Sequence, residues 1–240
     1  MIRFSGLGKS FGGNQVLEDL TLAIPEGETT VLLGHSGSGK SVALKHIVGL
    51  LEPDRGGVEV DGRVVHELDY DELMDLRRQI GYVFQSGALF DSMTVAENIA
   101  LGLRGRGLSE GEIESRVSES LRLVELPGTG QLAPSELSGG MRKRVGVARA
   151  IALKPRYILY DEPTTGLDPV TTTAMDALIV RAREDSGATS VVVTHDLRSA
   201  FAVADRIAFL YRGRILQVGT RDEIRQSDQP VIREFLGEMP

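Results

Sequence analysis

Cysteine is missing from this sequence of 240 residues. Its absence excludes disulfides, zinc sites with cysteine ligands and catalysis by a thiolate. The sequence also has no apolar run of about 18 residues, the length a membrane-spanning helix needs, so we expect none. Residues 1–13 are rich in glycine, serine and charge and contain no apolar stretch of the signal-peptide type. We therefore expect the chain to meet a membrane only through a partner.

Positive charge is also in short supply. The 27 Lys and Arg residues are outnumbered by 34 Asp and Glu residues, which gives a formal net charge of −7. This balance argues against general affinity for nucleic-acid phosphates, and we expect no nucleic-acid partner. Glycine is abundant by contrast, at 28 residues, where ~7% of a chain is usual. That excess predicts many tight turns or close approaches of the backbone to a ligand.

Apolar runs and turn signals predict alternating strands and helices. The predicted strands cover residues 16–24, 29–33, 58–60, 80–84, 157–161, 191–194, 207–211 and 214–218. The predicted helices cover residues 40–51, 95–103, 169–182 and 196–204, with further helices that begin after the capping residues Ser109, Ser138 and Thr220. Such alternation implies a largely parallel sheet with helices on both faces. The helical stretch at about 88–154 is expected to form an inserted lobe.

A phosphate-binding loop is predicted between the strand at 29–33 and the helix that follows it. The loop reads Gly34-His35-Ser36-Gly37-Ser38-Gly39-Lys40-Ser41 and matches the pattern GxxxxGK[ST]. Its glycines allow backbone N–H groups to point at phosphate oxygens at the positive end of a helix. Lys40 can then reach the β- and γ-phosphates, and Ser41 can bind Mg²⁺. A glycine turn with a helix-capping lysine is the alternative, which the flanking strand and helix disfavour.

Two carboxylates, Asp161 and Glu162, end the apolar strand at 157–161. A strand buried on both faces delivers its last residues to the sheet edge where ligands bind in open α/β folds. Asp161 is expected to hold Mg²⁺ directly or through water, and Glu162 to orient and deprotonate the attacking water. A polar strand end that merely caps the next turn is the alternative.

Three more segments complete a recognisable set. They are Leu137-Ser138-Gly139-Gly140-Met141, Gly166-Leu167-Asp168 and Thr194-His195-Asp196. With the two motifs above and Gln85, the sequence resembles the ATP-binding subunits of ABC transporters over essentially its whole length. The resemblance implies an α/β fold with a P-loop NTPase core and mostly parallel sheet, an N-terminal antiparallel β subdomain and an inserted α-helical subdomain. It implies one ATPase domain over 1–240, with the core at 1–87 and 155–240 and the helical subdomain at about 88–154.

The resemblance also implies a homodimer that forms on ATP binding, with two ATP molecules between head-to-tail chains. Each ATP is expected to lie on residues 34–42 of one chain, Val42 included, and to face Ser138, Gly139 and Gly140 of the other chain. Since Ser138 begins a helix and two glycines follow it, free N–H groups there can meet the γ-phosphate. His35 departs from the glycine or proline often found at its position, and its side chain is expected to face outward.

Four further roles follow from the resemblance alone. His195 is expected to contact the γ-phosphate and hold Glu162, although a lone histidine is more often a packing or surface residue. Asp168 is expected to couple the two ATP sites, and it also reads as a plain helix cap. Gln85 is expected to bind Mg²⁺ or the water and to sense the membrane partner. Phe11 is expected to stack on adenine, with core packing as the alternative.

The segment from Phe84 to Asn98, with FQSGALFDS at its start, is similar to the ATPases of Mla/Mce-type lipid transport. The sequence KSV at 40–42 and the sequence GMRKRV at 140–145 share this similarity. The resemblance implies a separate integral-membrane permease and an Mce-domain protein that passes phospholipids, with the ATPase peripheral on the cytoplasmic face of the inner membrane. In some such systems a small STAS-type regulatory subunit binds, which this sequence leaves open. The expected permease contacts are Ser86, Leu89, Phe90 and Met93.

Alternatives to this assignment remain at this stage. The apolar members of the 86–97 segment fit the core of the helical lobe as well as a docking groove. The ATPase motifs are equally compatible with an ABC transporter for another substrate. A non-transporting ABC protein is less favoured, because only about 53 residues separate Gln85 from Ser138 and no heptads occur there.

Overall fold

The computed structural model of the protein describes residues 1–237, and none of the helices within this range is long and apolar enough to cross a membrane. The N-terminal part forms a four-stranded antiparallel sheet in the order β2-β1-β4-β5. Its strands are β1 (Ile2–Phe11), β2 (Asn14–Ile24), β4 (Arg55–Val60) and β5 (Arg63–Val64). This sheet is the antiparallel subdomain that the sequence predicts.

A six-stranded sheet in the order β10-β9-β3-β8-β7-β6 forms the core. Its strands are β3 (Thr29–Leu33), β6 (Ile80–Val83), β7 (Tyr157–Asp161), β8 (Thr189–Thr194), β9 (Arg206–Tyr211) and β10 (Arg214–Gly219). All neighbouring pairs are parallel except β9 and β10, which form the predicted hairpin. Every residue of β3, β7 and β8 is buried, as expected for central strands covered on both faces. The predicted fold class is confirmed.

Nine α-helices surround the two sheets within residues 1–237. They are α1 (Lys40–Ile47), α2 (Tyr70–Arg77), α3 (Val95–Ala100), α4 (Glu110–Leu123), α5 (Gly139–Ala152), α6 (Pro169–Ser186), α7 (Leu197–Val203), α8 (Arg221–Arg225) and α9 (Pro230–Leu236). Helices α3, α4 and α5 pack on one another and form the inserted helical lobe. The capping boxes that begin α4 at Ser109 and α8 at Thr220 are both present.

Several boundaries differ from the prediction, and glycine explains most of them. Helix α1 ends at Ile47 rather than 51, because Gly49 takes a left-handed conformation (φ 62°) that terminates helices. Helix α6 continues to Ser186, where Gly187 (φ 66°) ends it in the same way. Strand β1 is absent from the prediction because Gly6 (φ 58°) breaks the alternation of inward residues. Helices α2 and α9 are also absent from the prediction.

Alternate residues of the central strands point into two separate cores. Val31 and Leu33 of β3 join the core formed with the helical lobe, α6 and α7. Leu32 points to the opposite face and joins the core between the two sheets and α1. Strand β3 is therefore packed on both faces, and this packing fixes the position from which the next loop begins.

Asp176 on α6 is a buried carboxylate, 7% exposed. Its Oδ2 accepts a hydrogen bond from the Ser199 hydroxyl at 3.1 Å, while Oδ1 has no partner among the described residues. Burial raises the pKa of Asp176 from 3.8 to about 6, against the opposing effect of the Ser199 hydrogen bond. The folded protein therefore bears a charge here at neutral pH that its surroundings disfavour.

We expect the substitution Asp176→Asn to stabilise the protein at about pH 8. Because the folded-state pKa lies above the unfolded one, the contribution of Asp176 to stability is full below about pH 4 and is lost as the pH rises through about 6. Asparagine keeps an acceptor for Ser199 without the charge, so the free energy of unfolding should exceed that of the wild type by about 2–3 kcal/mol at pH 8. Urea denaturation at about pH 8 and pH 4.5 measures this difference. An advantage that does not shrink at the lower pH contradicts the assigned titration.

Candidate active site

The carboxyl ends of the parallel strands meet at one edge of the central sheet, as they do in open α/β folds. Loop 34–39 follows β3, Glu162 follows β7, and His195 follows β8. A cleft of about 310 Å³ lies at this edge. It is lined by Val16, Ser36, Gly37, Gly39, Lys40, Ser41, Val42, Gln85, Glu162, Thr165 and His195. The structure thus brings together the predicted phosphate loop, Gln85, the predicted base and the predicted histidine.

Two positions of the phosphate loop have no room for a side chain. A Cβ at Gly34 would lie 2.2 Å from the carbonyl oxygen of Leu210. Gly39, the residue before α1, has φ 101°, and a Cβ there would lie 2.7 Å from Leu17. The loop can therefore curl around the helix start only with glycine at both places. His35 is exposed as expected, and its ring also packs edge-on against Phe235 of α9 at 4.7 Å.

Lys40 is held by the loop that it follows. Only 5% of it is exposed, and its ammonium donates hydrogen bonds to the carbonyl oxygens of Gly34 (2.9 Å) and His35 (3.0 Å). The same nitrogen lies 3.4 Å from Glu162 Oε1. Burial lowers the pKa of Lys40, and the charge of Glu162 opposes this effect. A cation is thereby fixed against the glycine-rich loop at the start of α1, an arrangement suited to a phosphate chain.

Asp161 and Ser41 bring oxygen atoms together at the base of the cleft. The Ser41 hydroxyl donates to Asp161 Oδ1 at 2.5 Å, and the Tyr82 hydroxyl donates to Oδ2 at 3.0 Å. Burial, with the charge of Asp161, raises the pKa of Tyr82, so the phenol remains a donor. Mg²⁺ favours one or two carboxylates combined with water and phosphate oxygens. The donor set of Ser41, Asp161 and the nearby Gln85 fits such an ion.

Glu162 is a buried carboxylate that is oriented on both sides. It is 8% exposed and has a left-handed backbone (φ 49°), uncommon for a residue other than glycine. Its Oε2 accepts a hydrogen bond from the Thr165 hydroxyl at 3.0 Å and lies 2.9 Å from His195 Nδ1. Its Oε1 faces Lys40. Strained backbone of this kind is concentrated at functional sites, where the surroundings hold it in place.

The predicted signature residues do not line the cleft of their own chain. Ser138 caps α5 by accepting a hydrogen bond from the Met141 N–H at 3.2 Å, and Ser138 and Gly139 are exposed. A Cβ at Gly139 meets nothing closer than a guanidinium nitrogen of Arg142 at 4.0 Å. The free N–H groups of this helix start therefore face outward, where only another molecule can use them.

Asp168 and Phe11 also do not line the cleft. Asp168 caps α6 by accepting hydrogen bonds from the backbone N–H groups of Val170 and Thr171, both at 3.0 Å. The pKa of Asp168 is lowered, mainly by the hydrogen bond from the Thr171 hydroxyl and further by the hydrogen bonds from these two N–H groups. Phe11 ends β1, is 43% exposed, and has the Lys9 ammonium 5.5 Å from its ring centroid. Phe11 is therefore not a core residue, and its stacking on adenine stays a prediction.

The segment after Gln85 is rigidly built but presents an apolar surface. Leu89 packs on the core of the helical lobe, Met93 is half-buried, Ser86 is exposed, and Phe90 is 51% exposed. The buried Asn98 side chain accepts a hydrogen bond from the Phe90 N–H at 2.7 Å and donates to the Phe90 carbonyl oxygen at 3.1 Å. Leu89 therefore belongs to the core of the helical lobe, whereas Phe90 lies at the surface, and permease docking on this segment stays a prediction.

Four residues of this region were not found by sequence reasoning. They are Tyr82, which bonds Asp161, Asn98, which holds Phe90, Thr165, which bonds Glu162, and Lys143, whose contacts are described below. Tyr82 and Lys143 contact residues at least 20 positions away in the sequence, where no local pattern links the partners. For Thr165, its position three residues after Glu162 is the one indication of its role that the sequence contains.

Comparison with known proteins adds a family to this geometry. A family model described as "ABC transporter" matches residues 17–165. The "Probable ribonucleotide transport ATP-binding protein mkl" of Mycobacterium tuberculosis (strain ATCC 25618 / H37Rv) is 46% identical over 98% of this chain, which spans 66% of that relative's length. The "Sulfate/thiosulfate import ATP-binding protein CysA" of Nocardia farcinica (strain IFM 10152) is 41% identical over 100% of this chain and 71% of its own length.

Solved structures agree with this result. The ATP-binding cassette MJ0796, in a dimeric post-hydrolysis state bound to ADP and Pi, superposes with a TM-score of 0.83 at 37% identity, over 92% of this chain and 98% of that one. CbiO1 from Clostridium perfringens, part of an ABC transporter complex, superposes with a TM-score of 0.86 at 28% identity, over 100% of this chain and 95% of that one. The chain therefore belongs to the ABC transporter family, as an ATPase domain of the kind that binds ATP with Mg²⁺.

Proposed function

We propose that this chain powers a membrane transporter by hydrolysing ATP between two head-to-tail copies of itself. The observation that carries the proposal is the separation of the two halves of the site. The cleft at Lys40 holds one half, and the outward-facing N-terminus of α5 at Ser138 holds the other. A second copy supplies the missing half to each cleft. The dimeric state of the related cassette MJ0796 supports this arrangement.

In this proposal the residues of each half have distinct tasks. The loop 34–42 and Lys40 hold the phosphates, with Phe11 beneath the adenine, and Ser138, Gly139 and Gly140 of the partner copy cover the γ-phosphate. Glu162 accepts a proton from the attacking water, because its carboxylate is buried and aligned by Thr165 and His195. Ser41, Asp161 and Gln85 hold Mg²⁺, which screens phosphate charge when bound. Asp168 couples the two sites.

A membrane permease docks, in this proposal, on the surface that Ser86, Phe90 and Met93 present beside Gln85. A second cleft of about 530 Å³ lies between α3, α4 and the loop at 127–131. Among its lining residues are Ala96, Ala100, Ile113, Val117 and Leu121. The lining combines these apolar residues with charged ones, and an exposed aromatic ring together with a partly apolar cleft suits an inserted helix of a partner. The same segment carries Gln85, so docking there reaches the nucleotide cleft directly.

We infer that the cargo is a phospholipid or another lipid, received through an Mce-domain protein. The support is the similarity of the 84–98 segment to lipid-transport ATPases. The ATPase then sits on the cytoplasmic face of the inner membrane. The names of relatives point to other cargoes, ribonucleotides for mkl and sulfate or thiosulfate for CysA. A transporter for such an anion is the second candidate.

A pull-down from detergent-solubilised native membranes tests the proposal. The tagged wild-type chain should recover an integral-membrane permease, an Mce-domain protein and bound phospholipid, identified by mass spectrometry. Phe90→Asp should reduce permease recovery at least about tenfold, since docking would bury the new carboxylate in an apolar contact and remove its water. Tyr70→Asp is the matched control, because Tyr70 is an aromatic residue, 75% exposed on α2, that lies outside the docking segment.

The outcomes separate the parts of the proposal. A permease of another class, without an Mce protein or lipid, discards the lipid assignment and leaves the transport ATPase. Equal recovery by the Phe90 and Tyr70 variants discards the docking surface. Failure to recover any membrane protein contradicts the transport role itself.

A further inference from the structure

Lys143 is a buried cation that the proposed mechanism does not use. It lies on α5, one turn beyond the signature residues, and is 8% exposed. Its ammonium donates hydrogen bonds to the carbonyl oxygens of Pro163 (3.0 Å) and Thr165 (2.6 Å). Both oxygens belong to the loop at 163–167, between Glu162 and the helix cap Asp168. The ammonium thus joins the signature helix to the loop that leaves the candidate base.

Stability alone does not account for a lysine at this position. Burial lowers the pKa of Lys143, while the charge of Glu162 opposes that effect. An ammonium is costly to remove from water, and its hydrogen bonds to the carbonyl oxygens of Pro163 and Thr165 offset part of that cost. What only the ammonium supplies is a set of donors that fix two carbonyl oxygens at once. The contribution of Lys143 is therefore to hold these two oxygens in a defined position.

The loop that Lys143 holds is the loop that aligns Glu162. The Thr165 hydroxyl donates to Glu162 Oε2 at 3.0 Å, and the Thr165 carbonyl oxygen accepts from Lys143. The loop turns at Gly166 (φ 78°), and glycine allows many backbone conformations. Contacts with the rest of the protein must therefore hold the loop in one conformation. A continuous set of contacts therefore runs from the signature helix through Lys143 and Thr165 to the carboxylate.

Close packing reinforces this connection. A Cβ at Gly140 would lie 2.8 Å from Thr171 Cγ2 on α6, so the start of the signature helix lies against the start of the next helix. The loop at 163–167 is thereby held at both ends, by Glu162 on one side and the α5–α6 contact on the other. Lys143 is the polar contact between these two fixed points.

We propose that Lys143 is a positioning residue for ATP hydrolysis, which sets Thr165, and through it Glu162, relative to the signature helix. The inference rests on the proposed function, in which Glu162 is the base and Ser138 serves the partner's ATP. Without Lys143, the loop keeps Glu162 less well aligned and the hydrolysis step slows. ATP binding is unaffected in this proposal, because the hydrogen bonds of Lys143 go to Pro163 and Thr165 and not to the phosphate loop.

Steady-state ATPase kinetics of the full chain test this inference. Lys143→Met keeps the length of the side chain and removes the donors. We expect its kcat, calculated per folded protein from the amplitude of thermal unfolding, to fall at least about tenfold while KM for ATP stays within about twofold. Lys143→Arg restores donors and should recover most of the turnover. Lys154→Met is the matched control, since the Lys154 side chain is 64% exposed and lies outside the cleft.

Turnover of the Lys143→Met protein within twofold of the wild type overturns the inference. Should that protein fail to fold, Lys143→Gln takes its place, because its shorter amide keeps a donor group at this position but cannot replace the ammonium at both carbonyl oxygens. A tenfold fall in kcat at constant KM supports the inference, and wild-type turnover overturns it. ATP-dependent dimerisation of Glu162→Gln is measured alongside. Its absence contradicts the proposed function, whereas its presence with an active Lys143→Met protein contradicts only the role of Lys143.

Discussion

Glu162→Gln should reduce ATP turnover by about 10²–10⁴-fold and leave the protein as a stable ATP-bound dimer. The amide keeps the size of the carboxylate, so Thr165 and His195 retain a neighbour to contact, but it cannot accept the proton of the attacking water. Hydrolysis therefore stops after ATP binding, and the closed state accumulates. Size-exclusion chromatography with ATP should show a species of twice the monomer mass, and phosphate release should be near background.

Lys40→Ala is the control for this result. It removes the cation that lies 3.4 Å from Glu162 and that binds the phosphates in the proposed site, so nucleotide affinity should fall and no ATP-dependent dimer should form. The two variants are thus inactive for opposite reasons, one after binding and one before it. Turnover by the Glu162→Gln protein equal to that of the wild type would refute the assignment of the base. Unchanged ATP affinity of the Lys40→Ala protein would contradict the role of the lysine.

Sequence reasoning located the parts of the site that depend on local pattern. Loop 34–41 was predictable because glycine spacing and the adjoining strand and helix all lie within one short stretch. Glu162 was predictable because a run of buried apolar residues must end at the sheet edge, where carboxylates then meet a ligand. Both deductions use only chain neighbours and the known direction of parallel strands.

The remaining features depend on contacts that spacing does not reveal. Lys143 bonds carbonyl oxygens 20 and 22 residues away, and Tyr82 bonds a carboxylate 79 residues away. Backbone oxygens carry no sequence signal at all, so no motif marks the partners of Lys143. Strand β1 was not predicted for a different reason. Its register with β2 shifts at Leu7, so the period-two pattern of apolar residues is lost.

A second large effect is expected at the signature helix. Gly139→Asp should abolish ATP-dependent dimerisation and lower turnover by at least about 10²-fold, while the monomer stays as stable as the wild type. The monomer tolerates the change because a Cβ at Gly139 has open space and a carboxylate in the first turn of α5 interacts favourably with the helix dipole. In the head-to-tail dimer the same carboxylate meets the partner's γ-phosphate, where like charges repel and an anion-binding helix start is lost.

Gly139→Ala separates charge from size in this experiment. Its methyl group adds bulk at the same atom without charge, so turnover should fall far less than in the aspartate variant. Thermal unfolding of both variants should match the wild type, and nucleotide affinity of both monomers should be unchanged, because Gly139 lies outside the cleft at Lys40. Normal ATP-dependent dimerisation of the Gly139→Asp protein would show that the α5 N-terminus does not face a phosphate. An equal loss in both variants would assign the effect to steric fit, and the electrostatic account of the signature helix would then be wrong.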